Sequence, residues 1–320
     1  MKILITSNPM GLEKSIPELA KKYPQCEFVY CPKSENLAEQ IKDADIFMGW
    51  ISKDLFLKAD KLKWIQSPST GIDSYISIKE LANSDVILTS ARGTHASCLA
   101  ESTMGMILAF TRGIRHSIQR QLEHKWSVSE IRNKMVELTD STMGIIGLGK
   151  IGCAIAKRAY AFDMNVIAVD VQAVEKPDCV CELCGMEGLD SLLKKSDYIV
   201  VTVPKTQGTI SLIGEKEIAM MKPTAMLIGI SRGGIIDQNA LAKALKENRL
   251  ACAALDVMEP EPLPPDSDLW DIENLLITPH IAGGTQFESK YIIEIFDENL
   301  KKFLNNEFPL RNQIDKQRGY

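Results

Sequence analysis

The sequence has no apolar run near the roughly 18 residues that a membrane-spanning helix needs, so no membrane partner is expected. It has no strong excess of charge either. Lys and Arg number 37 against 42 Asp and Glu, a formal net charge of −5 with the signs interspersed. Such a surface has no field to draw nucleic acid or anionic lipid, and nucleic acid is not expected as a partner. Internal repeats and low-complexity segments are also missing. The first residues, MKILITSNPM, carry one Lys, no extended apolar region and no cleavage site, and read as a buried first strand rather than a secretion signal. What remains is ordinary globular composition, 45% hydrophobic and 25% charged, with a cytoplasmic location expected. A length of 320 residues suits two domains better than one core.

Eight cysteines do not imply a disulfide framework here. Cys98, Cys153 and Cys252 sit inside apolar or helical patterns, and the thiols are expected to stay reduced. CVCELC brings Cys179, Cys181 and Cys184 to metal-like spacing. A structural zinc site needs a fourth ligand, and no nearby Cys or His supplies one. The run reads as a variable surface segment, and no metal is expected.

The first part of the chain alternates strand and helix signals. KILIT is followed by a helix near Pro17 to Lys22, then CEFVY and a helix near Ser34 to Lys42, then the short apolar runs DIFMGW, LKWIQ and VILT. This alternation predicts a parallel sheet with right-handed crossovers. One long helix is predicted from Ser97 onward, because Leu99, Met104, Met106, Ile107, Phe110, Ile114 and Ile118 recur at helical spacing. Its apolar face is a core or dimer face. Six strand candidates follow: MGII, NVIAV, YIVVT, AMLIGI, ACAAL and LLIT. Six strands in two βαβαβ halves make a dinucleotide-binding sheet. A last helix, near Glu288 to Asn305, has no strand left to serve there and is predicted to pack back on the first domain. The chain then crosses between domains near Ala91–Ser97 and Gly283–Lys290.

GLGKIG, Gly147 to Gly152, matches GxGxxG directly after the strand MGII and at the start of a helix. Gly147 permits the tight turn, Gly149 lets backbone amides approach a pyrophosphate, and Gly152 lets helix and strand pack closely. The helix N-terminus offers N–H groups and partial positive charge to the phosphates. Asp170 ends the next strand at the distance expected of a ribose-binding acid. Its carboxylate can accept both ribose hydroxyls and would repel a 2′-phosphate. No Arg follows in VQAVEK, so NAD is favoured over NADP.

Arg232 follows AMLIGI, Glu261 lies after ACAAL, and His280 follows LLITP. The C-terminal ends of parallel strands form the ligand crevice of doubly wound folds. A guanidinium, a carboxylate and an imidazole collected there suit hydride transfer at a 2-hydroxy or 2-keto acid. Arg232 can hold a carboxylate through two hydrogen bonds. His280 can take or return the hydroxyl proton, and Glu261 can fix its tautomer through the second ring nitrogen.

These residues resemble the D-isomer-specific 2-hydroxyacid dehydrogenase family over nearly the whole chain. The resemblance is carried by GLGKIG at 147–152, VPKTQGT at 203–209, ISRGGIIDQNAL at 230–241, LDVMEPEPLP at 255–264 and NLLITPHIAGGT at 274–285. It implies Arg232, Glu261 and His280 as the catalytic trio. It implies cofactor contacts from Thr103, Lys150, Ile151, Asp170, Pro204, Thr209, Ile230, Ser231, Asp256 and Gly283. STGID, 69–73, resembles the family's substrate loop, where amides around Thr70 and Gly71 receive the carboxylate. The implied fold is α/β: two doubly wound parallel-sheet domains, a flavodoxin-like substrate domain (1–92 plus 286–320) and a Rossmann NAD-binding domain (93–285). They are expected to close on the substrate, and the chain to form a homodimer through the helix near 98–122. Gly229 stands where the family often has Asn. His95 is a further imidazole, expected at the hinge or pocket wall.

The substrate-side wall is expected to include Trp50, Ile51, Ser69 and Thr70. With no cation inside SPSTGID, a non-phosphorylated acid with a small or apolar side group is expected. Two other readings compete. GISRG matches GxSxG, with Ser231, Asp256 and His280 in hydrolase order, but that motif demands a helix directly after the serine, and GGII intervenes. The family resemblance also covers transcriptional corepressors, whose extended disordered tails have no counterpart here.

Overall fold

The computed structural model describes residues 1–317 apart from Pro9 and Lys33, with the side chains of Ser34 and Glu35 also outside the description. Every candidate site residue lies within it. The chain divides into two compact units, Met1–His95 with Thr285–Tyr320, and Ala96–Gly284.

In the first unit five strands form one parallel sheet: β1 Lys2–Thr6, β2 Glu27–Cys31, β3 Ile46–Met48, β4 Trp64–Gln66 and β5 Ile87–Thr89. Their order, β2-β1-β3-β4-β5, is the flavodoxin arrangement. The runs are short and apolar because the central strands are covered on both faces, so Ile3, Ile46, Phe47 and Ile65 are all fully buried. The Glu288–Leu304 helix returns to this sheet. Its Phe296 ring stacks on Trp64 at 5.2 Å, within a cluster that includes Ile292, Leu300 and Phe303.

In the second unit seven parallel strands are present: β6 Thr142–Ile146, β7 Asn165–Val169, β8 Glu182–Cys184, β9 Tyr198–Val201, β10 Met226–Gly229, β11 Cys252–Leu255 and β12 Leu275–Ile277. The order β12-β11-β10-β9-β6-β7-β8 reverses between β6 and β9, where doubly wound sheets bind their ligands. The six expected strands are all there. The seventh, β8, is formed by the end of CVCELC, a run expected to be a variable surface segment. It pairs with β7 in parallel, Val169 opposite Cys184. The eight cysteines are free thiols. Among the described residues no group of three or more His, Cys, Asp or Glu side chains is arranged to hold a metal ion, and no helix is long and apolar enough to cross a membrane.

The single long helix expected from Ser97 is two helices, Ala96–Thr111 and Ile114–Leu122. Gly113 breaks it, with φ +67° and a site where a Cβ would lie 2.5 Å from Ile131 Cγ2. The first helix is largely buried: Leu99, Met104, Met106 and Ile107 share a cluster with Ile155 and Ala156 of the Lys150–Ala161 helix. The second leaves Ile114, Ile118 and Leu122 exposed, followed by exposed Trp126 and Val128.

Candidate active site

β6 runs into Gly147, whose φ of +98° turns the chain tightly, and the helix Lys150–Ala161 starts after Gly149. A Cβ on Gly152 would sit 2.2 Å from Gly147 O, so only glycine allows this crossing of helix and turn. A Cβ on Gly149 would meet no atom within 4 Å. The protein therefore leaves open space above the first turn, where helix amides have no intrahelical acceptor. Both features fit a dinucleotide pyrophosphate.

Asp170 follows β7. Its Oδ2 accepts Leu148 N–H at 2.7 Å and its Oδ1 accepts Gln172 N–H at 2.8 Å. The carboxylate is thus tied to the glycine turn, with lone pairs left for two ribose hydroxyls. The residues after it, Val171, Gln172 and Ala173, are exposed and uncharged.

The other expected cofactor contacts divide. Lys150 is exposed, and Ile151, Ser231 and Gly283 are half-buried near strand or turn ends. Thr209 closes its own loop: its hydroxyl donates to Pro204 O at 2.7 Å and accepts Thr206 N–H at 2.7 Å. Ile230 is buried. Thr103 is fully buried, and its hydroxyl donates to Leu99 O one turn back in its own helix at 2.8 Å.

Arg232, Glu261 and His280 leave the C-terminal ends of three adjacent strands, β10, β11 and β12, aligned with Gly229 opposite Leu255 and Leu255 opposite Ile277. Arg232 Nη1 donates to Ser231 O at 2.7 Å. A Cβ on Gly233 would lie 1.8 Å from Met258 O, so the arginine loop and the EPEP loop touch backbone to backbone. Glu261 Oε2 lies 2.7 Å from His280 Nδ1, which leaves Nε2 as the ring's other working nitrogen. Both side chains are partly exposed, as a pair that must meet a substrate has to be.

His280 holds φ +55°, a left-handed conformation that costs a non-glycine residue about 1 kcal/mol or more. Asp256 holds it there. Its backbone O accepts His280 N–H at 2.8 Å. Its buried carboxylate takes the Thr278 hydroxyl at 2.6 Å, Ile281 N–H at 2.9 Å and Ala282 N–H at 3.0 Å. The sequence offers Asp256 as an implied cofactor contact and as the acid of the competing hydrolase order. This bracing of residues 278–282 was not anticipated, and its one signal is an acid placed directly after a buried apolar strand. Ser231 is not on a nucleophile elbow, because the next helix begins only at Gln238.

In the first unit Trp50 is exposed, whereas Ile51, expected beside it on the wall, is buried in the core with Leu4, Phe47 and Ile65. Ser69 O accepts Ala91 N–H at 3.0 Å, which fixes the STGID loop at its start. Thr70 Oγ1 lies 2.8 Å from His95 Nδ1, and His95 Nε2 lies 3.1 Å from Glu288 Oε1. His95 is therefore a brace between that loop and the helix starting at Glu288. Lys53, the cation nearest Trp50 in sequence, pairs with Glu80 at 2.5 Å.

Comparison with known proteins identifies the family and the fold. Residues 104–282 match the family described as D-isomer specific 2-hydroxyacid dehydrogenase, NAD binding domain. A D-3-phosphoglycerate dehydrogenase of Methanocaldococcus jannaschii is 36% identical over 314 residues, covering 96% of this chain but 58% of the relative, so this chain spans little more than half of that protein. A glyoxylate reductase of Korarchaeum cryptofilum is 34% identical over 286 residues, covering 87% of this chain and 85% of that one. A crystal structure of a D-isomer specific 2-hydroxyacid dehydrogenase family protein from Aeromonas salmonicida superposes with a TM-score of 0.86 at 28% identity, covering 98% of both chains. The chain belongs to the D-isomer specific 2-hydroxyacid dehydrogenase family.

Proposed function

We propose that this protein is an NAD-dependent oxidoreductase that interconverts a small 2-keto acid and its D-2-hydroxy acid. The observation that carries the reading is the 2.7 Å contact between Glu261 and His280, in the loops after β11 and β12, beside the loop that carries Arg232 after β10. Arg232 grips the substrate carboxylate bidentately. The bound dinucleotide supplies or accepts the hydride at C2. His280 Nε2 gives a proton to the C2 oxygen in reduction and takes it back in oxidation. Glu261 fixes the ring through Nδ1 and stabilises the imidazolium.

Gly147, Gly149, Lys150, Ile151 and Gly152 would hold the pyrophosphate, and Asp170 the adenosine ribose. NAD is proposed over NADP because a 2′-phosphate would meet a carboxylate already pinned by two backbone amides, with no Arg in the VQAVEK segment after it. Replacing Asp170 with Ser should narrow the preference by about 1–3 kcal/mol in transition-state terms. Equal kcat/KM with NADH and NADPH in the unmodified enzyme overturns the assignment.

Ser69, Thr70 and Gly71 of the first unit are proposed as further substrate contacts on the family resemblance, and Trp50 as an apolar wall. Of the two chemistries named for the relatives, the non-phosphorylated one is favoured. STGID carries no cation, and Lys53 is engaged by Glu80. NADH oxidation with glyoxylate, hydroxypyruvate, pyruvate and a phosphorylated 2-keto acid tests this. A tenfold preference for the phosphorylated acid sinks the substrate reading and leaves the reaction standing. We also propose a cytoplasmic homodimer in which a second copy covers the Ile114, Ile118, Leu122 and Trp126 stripe. A monomeric mass in solution would refute that part.

A further inference from the structure

The catalytic carboxylate sits on a loop that is gripped two residues earlier. Gln238 Nε2 donates to Glu259 O at 2.8 Å, and Glu259 N–H donates to Gln238 Oε1 at 2.7 Å. One side-chain amide thus satisfies both backbone groups of a single residue, as a neighbouring strand would. Two bonds to one residue fix its rotation as well as its position. The grip has a firm base. Gln238 opens the helix Gln238–Lys246, whose end is capped by Asp237 Oδ1 accepting Asn239 N–H at 2.9 Å and Ala240 N–H at 3.0 Å.

The Glu259 side chain is held separately. Lys205, in the VPKTQGT loop, pairs with its Oε1 at 2.8 Å. The pair lies over Gly234, where a Cβ would come within 1.7 Å of Glu259 Oε2 and 2.9 Å of Lys205 Nζ. On the far side of Glu259 the loop reaches the dyad at once. Met258 N–H donates to Glu261 Oε1 at 2.8 Å, and Glu261 Oε2 meets His280 Nδ1. A carboxylate that must hold an imidazole has little tolerance, since an error of about 1 Å in such a constellation can cost roughly a hundredfold in rate.

We propose that Gln238 is a positioning residue for the Glu261–His280 pair, clamping the EPEP loop by both backbone groups of Glu259 while Lys205 anchors the Glu259 side chain. The proposal rests on the acid–base reading above. Without the clamp Glu261 spends less time against Nδ1, the imidazolium loses part of its counter-charge, and reduction loses its proton donor at lower pH.

The test compares the unmodified enzyme with Gln238→Ala, Gln238→Glu and Lys205→Met. The substrate is whichever of glyoxylate, hydroxypyruvate and pyruvate turns over fastest with NADH. Gln238→Ala should lower kcat about three- to tenfold, the loss expected from two hydrogen bonds that act on geometry alone. Its alkaline limb should move to lower pH, with KM for NADH and thermal midpoint unchanged. Gln238→Glu keeps the acceptor for Glu259 N–H and loses the donor, so its limb should shift part of the way; it carries the test if Gln238→Ala does not fold. Lys205→Met should show the smaller shift in the same direction. Profiles that superpose on the unmodified enzyme, or a loss of kcat with an unmoved limb, overturn the clamp. Turnover that survives in His280→Ala overturns the acid–base reading instead, and the clamp with it.

Discussion

Glu261 divides its carboxylate between two partners: Oε2 meets His280 Nδ1 at 2.7 Å, and Oε1 takes the Met258 N–H at 2.8 Å. The ring is therefore coupled to the backbone of the loop that carries the acid. Since Nδ1 faces Glu261, Nε2 is the nitrogen through which the proposed proton transfer would run.

This coupling fixes a sign. Reduction needs the ring protonated and oxidation needs it neutral, so the two directions have opposite pH dependences. Glu261→Gln removes the anion that stabilises the imidazolium, and the alkaline limb of reduction moves to lower pH. The acid limb of oxidation moves the same way. His280→Ala should lower kcat in both directions by about 10²- to 10⁴-fold. Steady-state profiles in both directions check this; limbs that move apart in Glu261→Gln contradict it.

Two glycines of one motif should behave differently on substitution. Gly152→Ala puts a methyl 2.2 Å from Gly147 O, a backbone atom that cannot swing aside, so the fold itself should suffer. Gly149→Ala meets no protein atom within 4 Å and has an extended backbone that alanine adopts freely. Its methyl would instead fill the space assigned to the pyrophosphate. Thermal midpoint should fall for Gly152→Ala alone, whereas Gly149→Ala should keep its midpoint and lose NADH affinity in a fluorescence titration. Tight NADH binding by Gly149→Ala would move the phosphates elsewhere.

Much of this was legible in the sequence because it is local. GLGKIG needs only its own spacing and the strand before it, and the central strands are continuous apolar runs. β8 was missed because Glu182–Cys184 is three residues long and partly exposed at a sheet edge, so it carries neither alternation nor an apolar run. The break at Gly113 was missed because Ile114 and Ile118 continue the helical spacing across it, and periodicity is blind to a φ of +67°. Ile51 was placed on the wall beside Trp50, but it turns into the core. The bracing by Asp256 and the grip of Gln238 join residues about twenty apart, and no motif records such a pairing.

Cysteine reactivity should follow burial. Loss of hydration pushes the Cys252 thiol up to about 12, against a smaller opposing pull from Arg115. At pH 8 only about one part in ten thousand is then thiolate, the form that reacts with alkylating agents. Cys181 is exposed. Brief iodoacetamide treatment of the native protein at that pH, followed by peptide mass spectrometry, should label Cys181 well before Cys252. Early labelling of Cys252 would mean that β11 opens readily.

Asp256→Asn separates a loop brace from a cofactor contact. Asp256 offers its carboxylate to one hydroxyl and two backbone N–H groups of residues 278–282. An amide has one acceptor oxygen, so at least one buried N–H would face an NH₂ group instead. Leaving a buried donor unsatisfied costs about 1–3 kcal/mol, and the cost is higher where the lost acceptor was charged. His280 would also lose part of what holds its left-handed backbone. The expected result is a lower thermal midpoint without any cofactor present, by several degrees, together with reduced kcat. A residue whose main work is to touch the dinucleotide would behave otherwise, leaving the cofactor-free midpoint intact and raising KM for NADH. Finding that second pattern would return Asp256 to the cofactor and leave His280's conformation to be held by the bonds from its own N–H to Asp256 O and Thr278 O.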